Sequence, residues 1–286
     1  MRVLVTGAGG QLGRDLVSAF ESSPASHEVV AADHLTLDVC DRDAVLGTIC
    51  ATRPDAVVHA AAWTSVDACE SDPGRALATN ALGSRNVADA ANRIGASLCY
   101  LSTDYVFDGT KTSPYDEWDE PKPLSVYGRS KLGGEHEVLG RCDISTVVRT
   151  SWVCGDHGSN IVKVILRLAE GGGALRFVDD QWGHPSFCGD LAPAIMSLVV
   201  ERRPGVFHLT NSGQVSWYQF AREVMQAAGH DPDRVLPVST ADLDPPRPAR
   251  RPANSVLENL AWRASGHPPM RDFREPLHEL VGRLTG

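Results

Sequence analysis

Short apolar runs recur at regular intervals over the first half of the chain. They are rich in Val, Ala and Leu, and their hydrophobicity is nearly continuous rather than alternating. This indicates strands buried on both faces, as in a parallel sheet. The predicted strands are residues 2–6, 28–33, 55–61, 97–103 and 144–153.

Longer stretches with helical spacing separate these strands. They cover residues 10–20, 42–50 and 81–95, and Gly95 is a typical helix stop. Strands that alternate with helices predict an α/β fold with a doubly wound, Rossmann-type parallel sheet.

The regular alternation weakens past residue 153. Residues 159–173 and 216–229 have helical spacing, residues 205–213 resemble a strand with a turn, and a proline-rich segment covers 243–252. We therefore predict two domains. Residues 1–152 form the dinucleotide-binding Rossmann domain. Residues 153–286 form a smaller, mainly substrate-binding α/β domain, from which some segments return to the first.

Composition and charge exclude some classes of binding partner and some kinds of site. The net charge is −9, from 36 acidic and 27 basic residues, which argues against a nucleic-acid-binding surface. One basic cluster, Arg247–Ser255, is either a solvated loop or an anion contact. No apolar run approaches the length of a membrane span. Seven scattered cysteines without a C-x-x-C pair predict neither disulfides nor a zinc site, and they suit the cytoplasm.

A glycine-rich loop follows the first predicted strand. Gly7, Gly10 and Gly13 lie at the start of the first helix, in the stretch VLVTGAGGQLG. Glycines at such a junction allow a tight turn and let backbone amides approach a pyrophosphate at a helix N-terminus. The loop therefore predicts a dinucleotide site.

Acidic residues near the second strand bear on the choice of dinucleotide. Asp33 ends that strand, about twenty residues beyond the glycines, where a carboxylate can accept hydrogen bonds from adenosine ribose hydroxyls. The alternative is a loop residue that caps the next segment. A carboxylate there disfavours a 2′-phosphate and favours NADH, but Arg14 lies close enough in sequence to weaken that inference. Asp38 and Val39 are candidate neighbours of the adenine.

A tyrosine and a lysine lie one helical turn apart in VYGRSK. Tyr127 and Lys131 therefore share one face of a helix. A nearby ammonium lowers the pKa of a phenol and makes it a better acid. Thr103 ends the fourth strand, at the edge of the sheet where ligands bind, and can donate a hydrogen bond to the same substrate oxygen. Together the three residues predict protonation of an alkoxide as a hydride arrives from a nicotinamide.

These features together resemble the extended short-chain dehydrogenases/reductases, and within them the dTDP-4-dehydrorhamnose reductase family. The resemblance spans residues 7 to about 259, and its most specific stretches are STDYVFDG and RTSWVCG. It implies backbone contacts of the dinucleotide pyrophosphate with Gly10, Gln11 and Leu12. It also implies that Ala62, Trp63 and Thr64 lie along the ribose and nicotinamide.

The resemblance also implies roles on the substrate side. Tyr127 would be the proton donor, and Lys131 would hold the nicotinamide ribose. Thr103 and Asp104 would contact the sugar. Trp152 would contact the deoxyhexose, where the alternative is core packing.

Three further positions are left open. Asn80 is either a polar kink that supports the active site or a residue of the helix surface. His184 and Ser186, in QWGHPS, are expected to shape a substrate loop. His184 and Trp182 differ from the residues common at these positions in the family.

The resemblance implies reduction of the C4 ketone of dTDP-4-dehydro-β-L-rhamnose to dTDP-β-L-rhamnose by NADPH or NADH. Magnesium bridges dimers in some relatives, but the sequence offers no metal-ligand cluster. We expect a monomer or homodimer that acts on a small nucleotide sugar, with no nucleic-acid or membrane partner. Three alternatives stay open: a nucleotide-sugar epimerase or dehydratase of the same fold, a reductase making another deoxyhexose, and a regulatory subunit resembling the methionine adenosyltransferase β subunit.

Overall fold

Strands and helices alternate along the first half of the computed structural model, which describes all 286 residues. The elements are β1 (Arg2–Thr6), α1 (Gln11–Glu21), β2 (Glu28–Ala32), α2 (Arg42–Thr52), β3 (Ala56–His59), α3 (Val66–Ser71), α4 (Pro73–Leu77), α5 (Gly83–Ile94), β4 (Ser97–Thr103), α6 (Val126–Arg141) and β5 (Ser145–Thr150). A π-helical turn, Ala78–Leu82, joins α4 to α5. The predicted strand 144–153 is shorter in the structure, because Trp152 has a left-handed backbone conformation (φ 45°).

The second half of the chain contains shorter strands. Its elements are β6 (Val153–Cys154), α7 (Ile161–Ala169), β7 (Leu175–Val178), β8 (Trp182–Gly183), β9 (Ser186–Phe187), α8 (Cys188–Val200), β10 (Gly205–His208), β11 (Val215–Ser216), α9 (Trp217–Ala227), β12 (Val235–Val238), α10 (Leu260–Ala264) and α11 (Arg274–Thr285). Ser216 caps α9, because its side chain accepts a hydrogen bond from the amide of Gln219.

Six parallel strands form the central sheet, in the order β10-β5-β4-β3-β1-β2. The strand order reverses at β1, which has β2 on one side and β3 on the other. At such a reversal, the connections leaving two neighbouring strands run to opposite faces and open a crevice at the carboxyl ends. The predicted doubly wound sheet is confirmed, and its topology fixes where a ligand can enter.

Helices cover both faces of this sheet. In β1, Val3 and Val5 pack in the cluster that contains the buried side chains of α1 and α8. Leu4, between them, packs in the opposite cluster with α2 and α5. Because successive strand residues point to opposite faces, burial on both sides requires apolar residues at every position.

A further apolar cluster lies among α7, α9 and α11, centred on Phe220 and Phe273. Between α7 and α9 the chain returns to the main sheet, because α8 packs on α1 and β10 pairs with β5. The division of the chain near residue 152 stays a prediction.

No helix combines the length and the apolar character that a membrane span requires. All seven cysteines are free thiols, and five of them are buried.

The structure predicts that acid destabilises the fold. Burial lowers the pKa of His59 and His208 to about 3 and that of His184 to about 4, from an ordinary value of 6.5. Below pH 6.5 these histidines are protonated in the unfolded chain but stay neutral in the folded one. The free energy of unfolding therefore falls as the pH drops. Burial raises the pKa of Asp104 to about 7 and also raises those of Asp15 and Glu117, which opposes this trend in part.

We therefore expect the free energy of unfolding, measured by urea denaturation, to be lower at pH 5 than at pH 7. The variant His59→Gln should reduce that difference, whereas His34→Gln, which changes an exposed histidine, should leave it unchanged. An equal or higher stability at pH 5 would contradict this account of the buried imidazoles.

Candidate active site

A cleft of about 560 Å³ opens at the carboxyl ends of the central strands. Its wall comes from the glycine loop after β1, the segments after β3 and β4, the first turns of α6, the segment after β5, and the start of α9. Most of the residues predicted for the site line it: Gly7, Gly10, Gln11, Leu12, Gly13, Ala62, Thr64, Thr103, Asp104, Tyr127, Lys131 and Trp152. Four predicted residues do not: Asp33, Asp38, Val39 and Trp63.

The glycine loop is too tightly closed for side chains. A Cβ atom on Gly13 would lie 2.1 Å from the carbonyl oxygen of Gly7, which itself has a positive φ of 69°. Helix α1 begins directly after the loop and has no acidic residue in its first turn. The first amides of a helix have no partner within it, and its dipole favours an anion there. The loop therefore fits the pyrophosphate of a dinucleotide.

Gln11 secures this loop to the second half of the chain. Its side-chain amide donates to the carbonyl of Val153 (2.8 Å), and its side-chain oxygen accepts from Asn160 (2.7 Å). The side chain of Gln11 is thus committed to the protein, and only its backbone is left for a ligand. Asn160 was not among the predicted residues, since it lies 149 positions away in the sequence.

Asp33 has the capping role that the sequence allowed, and its contact with an adenosine ribose stays a prediction. One carboxylate oxygen accepts hydrogen bonds from the amides of Leu35 and Thr36 (both 3.0 Å), which is the capping arrangement. Its side chain lies beside Gly9 of the glycine loop: the Cβ and second oxygen of Asp33 are 3.3 and 3.8 Å from where a Cβ of that glycine would lie. Hydrogen bonds from Thr36 lower the pKa of Asp33, so the carboxylate is ionised at neutral pH.

Asp38 and Val39 do not line the cleft. Asp38 accepts a hydrogen bond from the amide of Cys40 (2.9 Å). Val39 is buried against Gly83, and its carbonyl accepts from Asn86 (3.0 Å). Their contact with an adenine stays a prediction.

Asn80 supports the cleft from behind. It is fully buried in the π-helical turn. Its side chain accepts from the amide of Trp63 (2.8 Å), donates to the carbonyl of the same residue (3.0 Å), and donates to Ser130 (2.9 Å). The surface interpretation of Asn80 is therefore wrong. The residue joins the segment after β3, which contains Trp63, to the helix that carries Tyr127 and Lys131.

Tyr127 and Lys131 lie together on the wall of the cleft. Helix α6 begins after Ser125, whose side chain accepts from the amide of Gly128 (3.1 Å), and this cap sets the orientation of the first turn. Both residues are buried, with 9% and 2% exposure. The Lys131 amine lies over the ring of Tyr100, 4.2 Å from its centroid. Burial lowers the pKa of Lys131 to about 7, against the opposing charge of Glu135.

The pKa of Tyr127 shifts opposite to the sequence-based expectation. Burial raises it, and the nearby Thr103 hydroxyl only partly opposes that effect. The expectation that Lys131 lowers this pKa is therefore wrong for the protein alone. A buried phenol stays protonated at neutral pH and is an intact proton donor.

Thr103 and Asp104 form a polar pair beside Tyr127. The Thr103 hydroxyl donates to Asp104 (2.9 Å) and accepts from the amide of Tyr105 (3.2 Å). The Thr103 hydroxyl, which the sequence predicts to donate to a substrate oxygen, thus donates to Asp104 in this structure. The second carboxylate oxygen of Asp104 is buried without a partner, and burial raises the pKa of this residue to about 7.

Trp152 both packs against another tryptophan and lines the cleft. Its ring stacks on Trp217 with centroids 3.5 Å apart and an interplanar angle of 11°. A Cβ on Gly183 would come within 2.7 Å of the same ring. Both tryptophans line the cleft. Trp217 was missed, although its position directly after the cap Ser216 places it at a helix start.

His184 precedes β9, and Ser186 begins that strand; the amide of Ser186 donates to the carbonyl of Trp152 (3.3 Å). The carbonyl of His184 accepts from Ser151 (2.6 Å), and its ring is 3.2 Å from the hydroxyl of Thr210. Ser186 is fully buried in β9. Neither residue lines the cleft.

The basic segment lies close to the cleft. Arg251 forms a two-fold ion pair with Asp67 (2.6 and 2.7 Å), the residue after the cleft-lining Val66. Arg247 has no ion pair. Its pKa is lowered by burial and by the charge of Arg251. The structure contains no group of three or more His, Cys, Asp or Glu side chains placed to hold a metal ion.

Comparison with known proteins agrees with this geometry. The family model described as "RmlD substrate binding domain" matches residues 1–285. A dTDP-4-dehydrorhamnose reductase of Mycolicibacterium smegmatis is 41% identical over 100% of this chain and 86% of its own length. A dTDP-4-keto-6-deoxy-D-glucose reductase of Streptomyces niveus is 40% identical over 99% of this chain and 98% of its own.

A solved structure also superposes closely. The crystal structure of dTDP-4-dehydrorhamnose reductase from Bacillus anthracis in complex with NADP has a TM-score of 0.93 and 36% identity, and the match covers 99% of both chains.

The glycine loop allows a direct test of dinucleotide binding. We expect Gly13→Ala to weaken binding of NADPH, measured by fluorescence titration, at least about tenfold, because the new methyl group would displace the loop. Gly47→Ala is the matched control, since a Cβ on Gly47 in α2 meets nothing within 4 Å. Equal affinities of the two variants would show that the loop does not hold the dinucleotide.

Proposed function

The chain belongs to the dTDP-4-dehydrorhamnose reductase family, and we propose that it reduces the C4 ketone of dTDP-4-dehydro-β-L-rhamnose to dTDP-β-L-rhamnose with NADPH or NADH. The observation that carries this proposal is the convergence of Tyr127, Lys131 and Thr103 on one cleft with the glycine loop. With its free thiols, the protein is best suited to the cytoplasm.

The chain's own residues would hold the dinucleotide at two places. The backbone of Gly10, Gln11 and Leu12 would bind the pyrophosphate, and the Lys131 amine would bind the ribose next to the nicotinamide. When bound, the reduced nicotinamide supplies the hydride that adds to C4.

Tyr127 would supply the proton. As C4 gains the hydride, the carbonyl oxygen becomes an alkoxide and takes the phenolic proton of Tyr127. The resulting phenolate is stabilised by the ammonium form of Lys131 and later regains a proton from water. Because burial keeps the Tyr127 phenol protonated beforehand, the residue enters each turnover as an acid.

Thr103, Asp104 and Trp152 would orient the sugar. Trp152, backed by Trp217, presents an aromatic surface of the kind that packs on the apolar face of a deoxyhexose. The relative from Streptomyces niveus favours a second candidate substrate, dTDP-4-keto-6-deoxy-D-glucose, which the same residues would reduce by the same steps.

The decisive experiment supplies the keto sugar nucleotide and follows oxidation of NADPH by absorbance. We expect Tyr127→Phe to lower kcat at least about 100-fold, because the proposed proton donor to the carbonyl oxygen is lost. Tyr218→Phe, outside the cleft, should leave kcat unchanged. NMR of the product distinguishes the two candidate sugars.

Full turnover by Tyr127→Phe would refute the assigned role. Tightly bound NAD with no net consumption of reduced cofactor would indicate an epimerase or dehydratase instead. Absence of turnover with either keto sugar would favour a regulatory protein.

We also propose that Arg247 binds the diphosphate of the nucleotide sugar. Lys131 is the only cationic side chain that lines the cleft, whereas the substrate carries two negative charges. The charges of Arg247 and Arg251 both act on Tyr105, whose ring is 6.0 Å from that of Tyr127. Because Asp67 neutralises Arg251, Arg247 is the unpaired one of these two cations.

Arg247→Met should therefore raise KM for the nucleotide sugar about tenfold while leaving KM for NADPH unchanged, since one charge-assisted contact is lost. Arg42→Met removes an exposed charge from α2 and serves as the control. Equal KM values in both variants would exclude the contact.

A further inference from the structure

A carboxylate is buried behind the wall of the cleft. Glu135 follows Lys131 by one turn of α6 and is only 1% exposed. It does not line the cleft, so it cannot contact a ligand there. A fully buried charge is costly unless other groups compensate it.

Two strands supply that compensation. Arg149 of β5 binds Glu135 through two hydrogen bonds, Nε to Oε1 (3.0 Å) and Nη2 to Oε2 (2.7 Å). Ser102 of β4 donates to Oε1 (2.5 Å). Ser102 and Arg149 are register partners, and the next pair along the two strands is Thr103 and Thr150, both at the cleft. The carboxylate thus joins α6 to the ends of both strands, and Ser102 itself lines the cleft.

Stability alone is a weak reason for this arrangement. Replacement of a buried ion pair by apolar residues of similar size is often neutral or stabilising. The arrangement also leaves Lys131 without a direct ion pair, because no carboxylate oxygen lies within 4.0 Å of its amine. Glu135 is the acidic residue whose charge acts on Lys131.

The other groups around Lys131 offer no negative charge of comparable effect. Tyr127 on α6 and Tyr100 on β4 are neutral phenols whose pKa values are raised. His59 on β3 is neutral, because its pKa is about 3. Arg149 on β5 is a cation. Asp104, after β4, is not among the groups that shift the pKa of the amine. The π-helical turn contributes no ionisable residue.

We propose that Glu135 is a positioning residue of the reductase, which fixes α6 against Ser102 and Arg149 and favours the ammonium form of Lys131. The proposal rests on the proposed function for its kinetic readout. It adds a third residue to the Tyr–Lys pair: Glu135, one turn further along α6, influences whether Lys131 is charged.

Glu135→Gln tests the proposal, because it removes the charge and nearly preserves the shape. We expect the alkaline limb of the kcat/KM profile to move to lower pH by about one unit, since the buried amine loses its stabilising neighbour. Binding of NADPH, titrated by fluorescence, should lose affinity over the same pH range. Glu137→Gln, which breaks a half-exposed pair with Arg141 on the same helix, should shift neither measurement.

A second variant tests the proposal even if Glu135→Gln fails to fold. In Glu135→Leu/Arg149→Met both charges are removed together, so that no unpaired charge is left in the core. This variant should unfold near the wild-type temperature and still show the shifted pH dependence.

A folded variant of either kind with the wild-type pH dependence would overturn the proposal and leave Glu135 a purely structural role. Because NADPH binding is measured without the sugar, this result is separable from failure of the proposed reaction.

Discussion

The burial of one ammonium group, that of Lys131, imposes the main constraint on this cleft. Removing a cation from water disfavours its charged form by several kcal/mol unless nearby groups replace the solvent. The neighbours found here are the ring of Tyr100, the remote carboxylate of Glu135 and the neutral imidazole of His59. They leave the amine near its midpoint at neutral pH, so that small changes in charge around it control whether it is protonated.

This constraint connects features that lie far apart in the sequence. The amine lies over Tyr100 of β4, so its surroundings depend on the position of α6 relative to that strand. Asn80 sets that position from one side, through Ser130 and Trp63. Glu135 sets it from the other, through Ser102. The parallel sheet provides the frame, because the carboxyl ends of its neighbouring strands meet at one edge.

The sequence predicted the parts of the site that depend on local spacing. Three glycines after a strand, and a tyrosine and lysine one turn apart, specify their geometry within a few residues. What it did not predict depends on distant contacts. The stacking of Trp152 on Trp217 joins residues 65 positions apart in number, and the position of β10 beside β5 follows from packing of α8 on α1. For Asn80 the local pattern allowed two interpretations, because only the fold shows that Ser130 lies opposite it.

The π-helical turn at Ala78–Leu82 restricts which insertions and deletions this part of the chain can accept. A π turn contains one residue more than the α-helical turn it replaces. Deleting one of its five residues would restore a regular helix but would rotate everything from Gly83 onward by about 100° about the axis. Val87 and Ala91 of α5 would then no longer pack against the sheet. Insertions and deletions of single residues, which surface loops accept readily, are therefore excluded from this segment.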